Sequence, residues 1–171
     1  MTDESNRTLL ELARARLITH QAGQVRTCLE ALNDGQLWWR SNEESNAIGN
    51  LVLHLAGSTR FYIGHGMGNS GYQRDRDAEF EAGRGTATPP NKETLQAHFD
   101  TAMLEADQAL RQFDPTQLSE VTDLTGTPAT YAEIIMNQVL HFTTHAGQIV
   151  FATKLIQAGV IHEIWKTTPK G

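Results

Sequence analysis

Apolar positions recur at helical spacing in four long segments of the chain. The first segment runs roughly from Ser5 to Leu32, and the second from about Ser45 or Asn46 to Gly64. The third runs from about Asn91 to Gln112, and the fourth from Thr130 to about Ala158. Within each segment apolar side chains return every three or four residues, as in a helix that buries one face. No stretch alternates for long enough to predict a β-strand.

Capping and turn residues indicate where these helices begin and end. Capping boxes are predicted at Thr8 with Glu11 and at Thr130 with Glu133. Asn91 follows two prolines and is a candidate N-cap of the third helix. Left-handed glycine caps are expected after the first and fourth helices, at Gly35 and Gly159.

The segment between the second and third helices, residues 64–90, is polar, charged and marked by glycine and proline. It is longer than a usual turn between adjacent antiparallel helices, so it is either functional or a crossover. The predicted fold class is all-α, a four-helix bundle with one long connection. With 171 residues, of which 39% are hydrophobic and 20% charged, residues 1–171 are expected to form a single domain.

The charge and the cysteine content indicate which binding partners and which cellular compartment to expect. The net charge is -6 and no basic stripe is present, so neither nucleic acid nor an anionic membrane is expected as a partner. The lone cysteine, Cys28, cannot form an internal disulfide, which suits a reducing compartment. The N-terminus lacks the pattern of a signal peptide, and no apolar run approaches the ~20 residues of a membrane span. We therefore expect a soluble, cytoplasmic protein.

Two of the seven histidines, His141 and His145, lie four residues apart on the predicted fourth helix. Cβ atoms at this spacing are ~5–6 Å apart, close enough for both rings to bind one ion. From the spacing alone, a metal-binding pair and two hydrogen-bonded histidines both remain open. Phe142 occupies the position of the glutamate in the His-Glu-x-x-His motif, so a zinc protease of that mechanism is not expected.

His54 lies among apolar residues of the predicted second helix. Taken alone it is a core histidine with a hydrogen-bond partner, because an unpaired buried polar group costs ~1–3 kcal/mol. Together with His141 and His145, it would place three imidazoles in the interior of the bundle. A divalent ion would bind the lone pairs of all three rings. Three imidazoles and an open position are typical of a catalytic zinc site, although such ligands bind several transition metals. The remaining histidines are not expected to join the site: His20, His65, His98 and His162.

Other polar and aromatic residues are secondary candidates. Four acids of the connection are candidates for a general acid or base, but a charged network with Arg74 and Arg76 that pins the connection is favoured. These acids are Asp75, Asp77, Glu79 and Glu81. Gln138 and Gln148 either orient the histidines or pack in the core. Trp38 and Trp39 either line a pocket or pack, and packing is the commoner use of tryptophan.

Three stretches resemble the DinB-like (YfiT-like) bundle proteins: NLVLHLAGS in the second helix, RDRDAEF in the connection and HFTTHAGQIVFATKL in the fourth helix. QLWWRSNEESNAIGN, which leads into the second helix, resembles one branch of that superfamily. The likeness extends from about Leu9 to Leu155. It implies a four-helix bundle, often a homodimer, with a divalent metal ion such as zinc or nickel. The metal ligands of the superfamily correspond to His54, His141 and His145.

The resemblance also implies classes of activity. Some DinB-like proteins are thiol-dependent S-transferases or isomerases that use low-molecular-weight thiols, and others are classed as hydrolases. The expectation for this chain is a metal-dependent hydrolase or thiol S-transferase that acts on a small-molecule substrate. The alternative is a non-catalytic, metal-stabilised dimer with a structural or stress-response role. The name of the superfamily implies no DNA binding.

Overall fold

The computed structural model describes residues 3–86, 88–159 and 162. Four helical rods form the bundle. The first rod consists of α1 (Asp3–Arg14), a π-helical segment (Ala15–Gln21) and α2 (Ala22–Ala31). A short helix, α3 (Asp34–Leu37), follows it.

The second rod consists of α4 (Ile48–Thr59), which continues without a break into a second π-helical segment (Arg60–His65). The long connection contains one short helix, α5 (Arg76–Glu81). The third rod is α6 (Lys92–Gln112), and the all-α bundle with its long connection agrees with the prediction.

A 3-10 turn (Pro115–Ser119) and a small hairpin separate the third rod from the fourth. Strand β1 (Val121–Thr122) pairs antiparallel with β2 (Ala129–Thr130), and Val121 lies opposite Thr130. The fourth rod, α7 (Tyr131–Ile156), begins directly after β2. The hairpin was not predicted, because two-residue strands give too short an alternation to recognise.

Apolar faces of the four rods meet in a continuous core. α4 packs against both α6 and α7, and α2 packs against α7. Phe99 of α6 and Phe142 of α7 are fully buried, with ring centroids 6.2 Å apart. Burial of such side chains contributes ~1.5–3 kcal/mol each before the entropy of ordering is subtracted. Among the helices that the structure describes, none has the length and apolarity needed to cross a membrane.

Two predicted helix caps were wrong. The first helix begins at Asp3, and the Thr8 hydroxyl donates to the carbonyl of Glu4 inside that helix instead of capping its start. Gly35 lies within α3, where Asn33 is the N-cap and accepts from the backbone N–H of Gln36. The same residue types occur inside helices and at their ends, so an isolated capping pattern does not fix a boundary.

The connection is fastened to α4 by one buried amide. Asn50, in the first turn of α4, donates to the carbonyls of Glu79 and Ala82 at 3.0 and 2.9 Å. Its own oxygen accepts from the backbone N–H of Ala47 at 3.2 Å, ahead of the helix. This side chain therefore holds the end of α5 against α4, one turn before His54.

Candidate metal centre

Three histidines from two helices meet beside one cavity. His54 comes from α4, and His141 and His145 come from α7. Each offers one ring nitrogen, and these atoms lie within 4.8 Å of one another. The Nε2 atoms of His54 and His141 are 2.9 Å apart. The structure thus brings together the three residues that the sequence singled out.

The fourth rod presents Phe142 on a different face from its two histidines. His141 and His145 are one helical turn apart, with ring centroids separated by 4.6 Å. Phe142, one residue beyond His141, is turned by about 100° and is fully buried in the core. The glutamate position of the zinc protease motif is therefore occupied by a packing residue.

The Nδ1 atom of each ring has a partner outside the cluster. His54 Nδ1 lies 2.8 Å from Oε2 of Glu79, and His145 Nδ1 lies 2.7 Å from Oε1 of Gln148. His141 Nδ1 lies 3.4 Å from the hydroxyl of Ser58. Partners of this kind orient imidazoles in metal sites, and they leave the Nε2 atoms for the centre of the cluster.

Glu79 belongs to a buried ion pair. Arg74 donates to both of its carboxylate oxygens at 2.8 Å, and the two side chains are only 13% and 7% exposed. Burial by itself raises the pKa of Glu79, but the hydrogen bonds from Arg74 and His54 outweigh it and hold the pKa below its ordinary value. The carboxylate is therefore charged, and it accepts the Nδ1–H of His54.

Two of the three imidazoles are held neutral. Burial, together with the nearby His145, His54 and Arg74, lowers the pKa of His141 to about 4. Burial also lowers the pKa of His145, and the neighbouring His54 acts in the same direction, although the hydrogen bond with Gln148 opposes it. Neutral imidazole is the form that binds a metal ion, so these rings need not lose a proton to do so at neutral pH.

A cavity of about 550 Å³ opens onto the three histidines. α4, the connection, the β1–β2 hairpin and α7 all contribute to its wall. Its apolar part includes Phe80, Leu124 and Ile134, and Phe80 lies 4.7 Å from His54 between ring centroids. The volume lies within the ~300–1,000 Å³ range of small-molecule sites.

Only some of the charged secondary candidates in the connection contact the histidines. Of the four acids, Glu79 alone reaches the histidines, while Asp75 caps α5 by accepting from Ala78. Asp77 and Glu81 are exposed. The favoured charged network is present as the Arg74–Glu79 pair, although Arg76 lies over the ring of Phe80 and takes no part in that pair.

The two glutamines differ in whether they contact a histidine. Gln148 contacts His145 directly, whereas Gln138 bridges Ser58 and Thr59 and so joins α7 to α4. Trp38 packs against Gly49 and donates to the carbonyl of Pro90, and neither it nor Trp39 lines the histidine cavity. The remaining histidines lie outside the cluster: His20, His65, His98 and His162.

Gly57 is a residue that sequence reasoning missed. It lies on α4 three residues after His54, and a Cβ atom at this position would overlap the carboxylate of Glu79. Only glycine lets the connection approach the helix closely enough for Glu79 to reach His54. The signal was a glycine three residues after a histidine within an apolar helix.

The four-helix bundle with one long connection has the fold of a DinB-like protein, as the sequence predicted. The solved structures include a similar one, a DinB-like protein from Bacillus cereus ATCC 10987, with a TM-score of 0.62. The match covers 80% of this chain and 86% of the other at 16% sequence identity, and at that identity it shows the fold alone. The DinB-like resemblance inferred from the sequence is thereby confirmed.

The chain belongs to the family described as protein of unknown function DUF1572, whose family model matches residues 4–171. A comparison with the curated proteins finds no match.

Proposed function

We propose that His54, His141 and His145 bind one divalent metal ion, zinc or nickel, and that the protein is a metal-dependent enzyme acting on a small molecule. The observation that carries this proposal is the convergence of three ring nitrogens within 4.8 Å at the wall of an open cavity. A divalent ion placed among the three rings would bind one lone pair from each of them.

The donor set fits a divalent ion of this kind. Each imidazole has its Nδ1 engaged elsewhere, and the low pKa of His141 keeps that ring neutral. Imidazole suits zinc and nickel alike. A bound ion would supply a Lewis acid that polarises a substrate oxygen or lowers the pKa of a thiol.

The residues around the histidines have separate tasks. Glu79 accepts the Nδ1–H of His54 and fixes its tautomer, and Arg74 keeps that carboxylate charged. Gln148 orients His145. Because both oxygens of Glu79 are already engaged, it is a positioning residue and not a general base.

Two reaction classes are proposed, hydrolysis and transfer to a low-molecular-weight thiol. Both need a cavity that admits an organic molecule next to the metal ligands. The protein supplies such a cavity, whereas a closed structural zinc site is enclosed by four protein ligands. Among the residues described, no fourth histidine, cysteine or carboxylate belongs to the cluster.

The metal assignment is tested by measuring bound metal in wild type, His141→Ala and His98→Ala. The control removes an exposed histidine of α6 that lies outside the cluster. We expect one ion per chain in wild type and the control, and loss of most metal in His141→Ala. At a free metal concentration of roughly 100 times Kd, binding stabilises the fold by about 2.7 kcal/mol, which thermal unfolding detects. Wild type that binds no zinc or nickel on titration would refute the assignment.

The enzyme assignment is tested with the metal-loaded protein against ester, amide and thiol-conjugation panels. Activity is expected in wild type and should be absent in His54→Ala. If both proteins are equally inert across the panels while wild type retains its metal, the enzymatic proposal loses its support.

A second candidate function is a non-catalytic, metal-stabilised dimer, favoured by an exposed apolar face on α7. Four large apolar side chains share this face at helical spacing and are between 47% and 63% exposed: Met136, Leu140, Phe151 and Leu155. Exposed apolar patches of this kind commonly mark protein interfaces. We propose a homodimer through this face for either function, and a cytoplasmic location consistent with the buried free thiol of Cys28.

A further inference from the structure

The cavity beside the histidines carries positive charge in a protein that is acidic overall. The chain contains 20 acidic and 14 basic residues, excluding histidine. Yet among the described residues that form the cavity wall there are two arginines, Arg74 and Arg76, and no carboxylate. A cleft lined by charge of one sign concentrates ligands of the opposite sign.

The two arginines differ in whether their guanidinium groups are available to bind a ligand. Arg74 is neutralised by Glu79 through two hydrogen bonds of 2.8 Å. Arg76 is exposed, and within the described part of the chain its guanidinium forms no ion pair. It lies 5.1 Å from the centroid of the Phe80 ring, and a guanidinium over an aromatic face keeps its N–H donors free at its edge.

Phe80 also fixes how far this guanidinium lies from the histidines. Its ring centroid is 4.7 Å from that of His54 on one side and 5.1 Å from the Arg76 guanidinium on another. The Arg76 guanidinium therefore lies at most about 10 Å from the centre of the His54 ring. A small organic molecule can span that distance.

The rest of the wall suits an organic body with an oxyanion at one end. Ile134 and Leu124 add apolar surface next to Phe80. Three threonines of the hairpin region add hydroxyl groups that can donate to an anion: Thr122, Thr125 and Thr127.

We propose that this cavity binds a small organic anion whose carboxylate or phosphate group is held by Arg76. The apolar body of this anion lies against Phe80 and Ile134. The opposite end of the anion reaches the three histidines. The inference rests on the proposed function for what happens at that opposite end. The binding of the anionic group is measurable on its own.

The test uses three probes of similar shape, benzoate, phenylphosphonate and neutral benzamide, titrated calorimetrically into the full chain in metal-free and zinc-loaded forms. The variants are Arg76→Gln and Arg16→Gln. Arg16 is an exposed arginine of the first rod that is not part of the cavity wall, and its loss changes the net charge equally.

Wild type and Arg16→Gln should bind at least one anion about tenfold more tightly than benzamide in the metal-free form, and Arg76→Gln should lose that preference. The tighter anion identifies the group that Arg76 recognises. The inference is overturned if no probe binds, if wild type shows no preference, if Arg76→Gln retains it, or if Arg16→Gln loses it equally. An Arg76-dependent preference in a protein that binds no zinc would support this inference and refute only the metal assignment.

Discussion

Gly57→Ala tests whether the close approach of Glu79 to α4 holds the histidine site together. The added methyl group would overlap Oε1 of Glu79, so the carboxylate has to move. Glu79 cannot move freely, because Arg74 holds both of its oxygens and His54 holds one of them. The substitution therefore perturbs the site without changing a histidine, an acid or a base.

The expected change in the free energy of unfolding is the sum of two opposed contributions. Alanine in a helix interior is favoured over glycine by about 0.5–1 kcal/mol. Breaking a buried ion pair costs about 3–5 kcal/mol, and Arg74 and Glu79 are only 13% and 7% exposed. The expected net loss is therefore about 2–4 kcal/mol in the free energy of unfolding of the metal-free protein. Loss of the partner that orients a ligand should also weaken metal binding by about 10–100-fold.

Urea unfolding followed by circular dichroism measures the stability, and chelator competition measures the metal affinity. Gly23→Ala is the matched control, because it also lies within a rod and its added Cβ meets nothing within 4 Å. It should stabilise the protein slightly and leave metal affinity unchanged. If Gly57→Ala is as stable as Gly23→Ala and binds metal as wild type does, Glu79 does not hold His54 in the way described.

Two further predictions concern protonation and assembly. The folded-state pKa of His141 is about 4 against an ordinary value of 6.5, so the unfolded chain binds more protons between these pH values. Metal-free wild type should therefore lose stability as the pH falls from 7 towards 4, and His141→Gln should lose less; equal pH dependence in urea unfolding would contradict this. Leu155→Asp on the apolar face of α7 should convert a dimer to a monomer in sedimentation, whereas Leu104→Asp, at a similarly exposed leucine of α6, should not. A monomeric wild type, or dissociation by both variants, would argue against this interface.

Apolar periodicity and capping residues predicted a rod correctly where the side chains near its start form the caps that the folded structure uses. Asn91 caps α6 by accepting from Thr94, and Thr130 and Glu133 cap α7 reciprocally, as expected. The π-helical segments Ala15–Gln21 and Arg60–His65 were not predicted, because one extra residue in a helical turn barely changes an apolar pattern.

The three histidines could be predicted as a group because helical spacing places His141 and His145 one turn apart, and because His54 completes a set that resembles the metal ligands of DinB-like proteins. The choice of Glu79 among four acids could not be made in the same way. It depends on where α5 docks, and that position is set by the amide of Asn50 and by the space at Gly57. These are contacts between distant parts of the chain that no local pattern encodes.

The long connection was expected to be either a crossover or a functional segment, and its contacts support both descriptions. It links the second rod to the third, and it also carries Arg74, Glu79 and Phe80 to the ring of His54. The position of one proposed ligand therefore depends on how the connection is anchored to α4. A substitution at Asn50, one turn before His54, should disturb that ligand while leaving His141 and His145 on α7 in place, because their rings are one turn apart on the same rod. The connection is thus a structural element of the site, and its length is explained by what it delivers there.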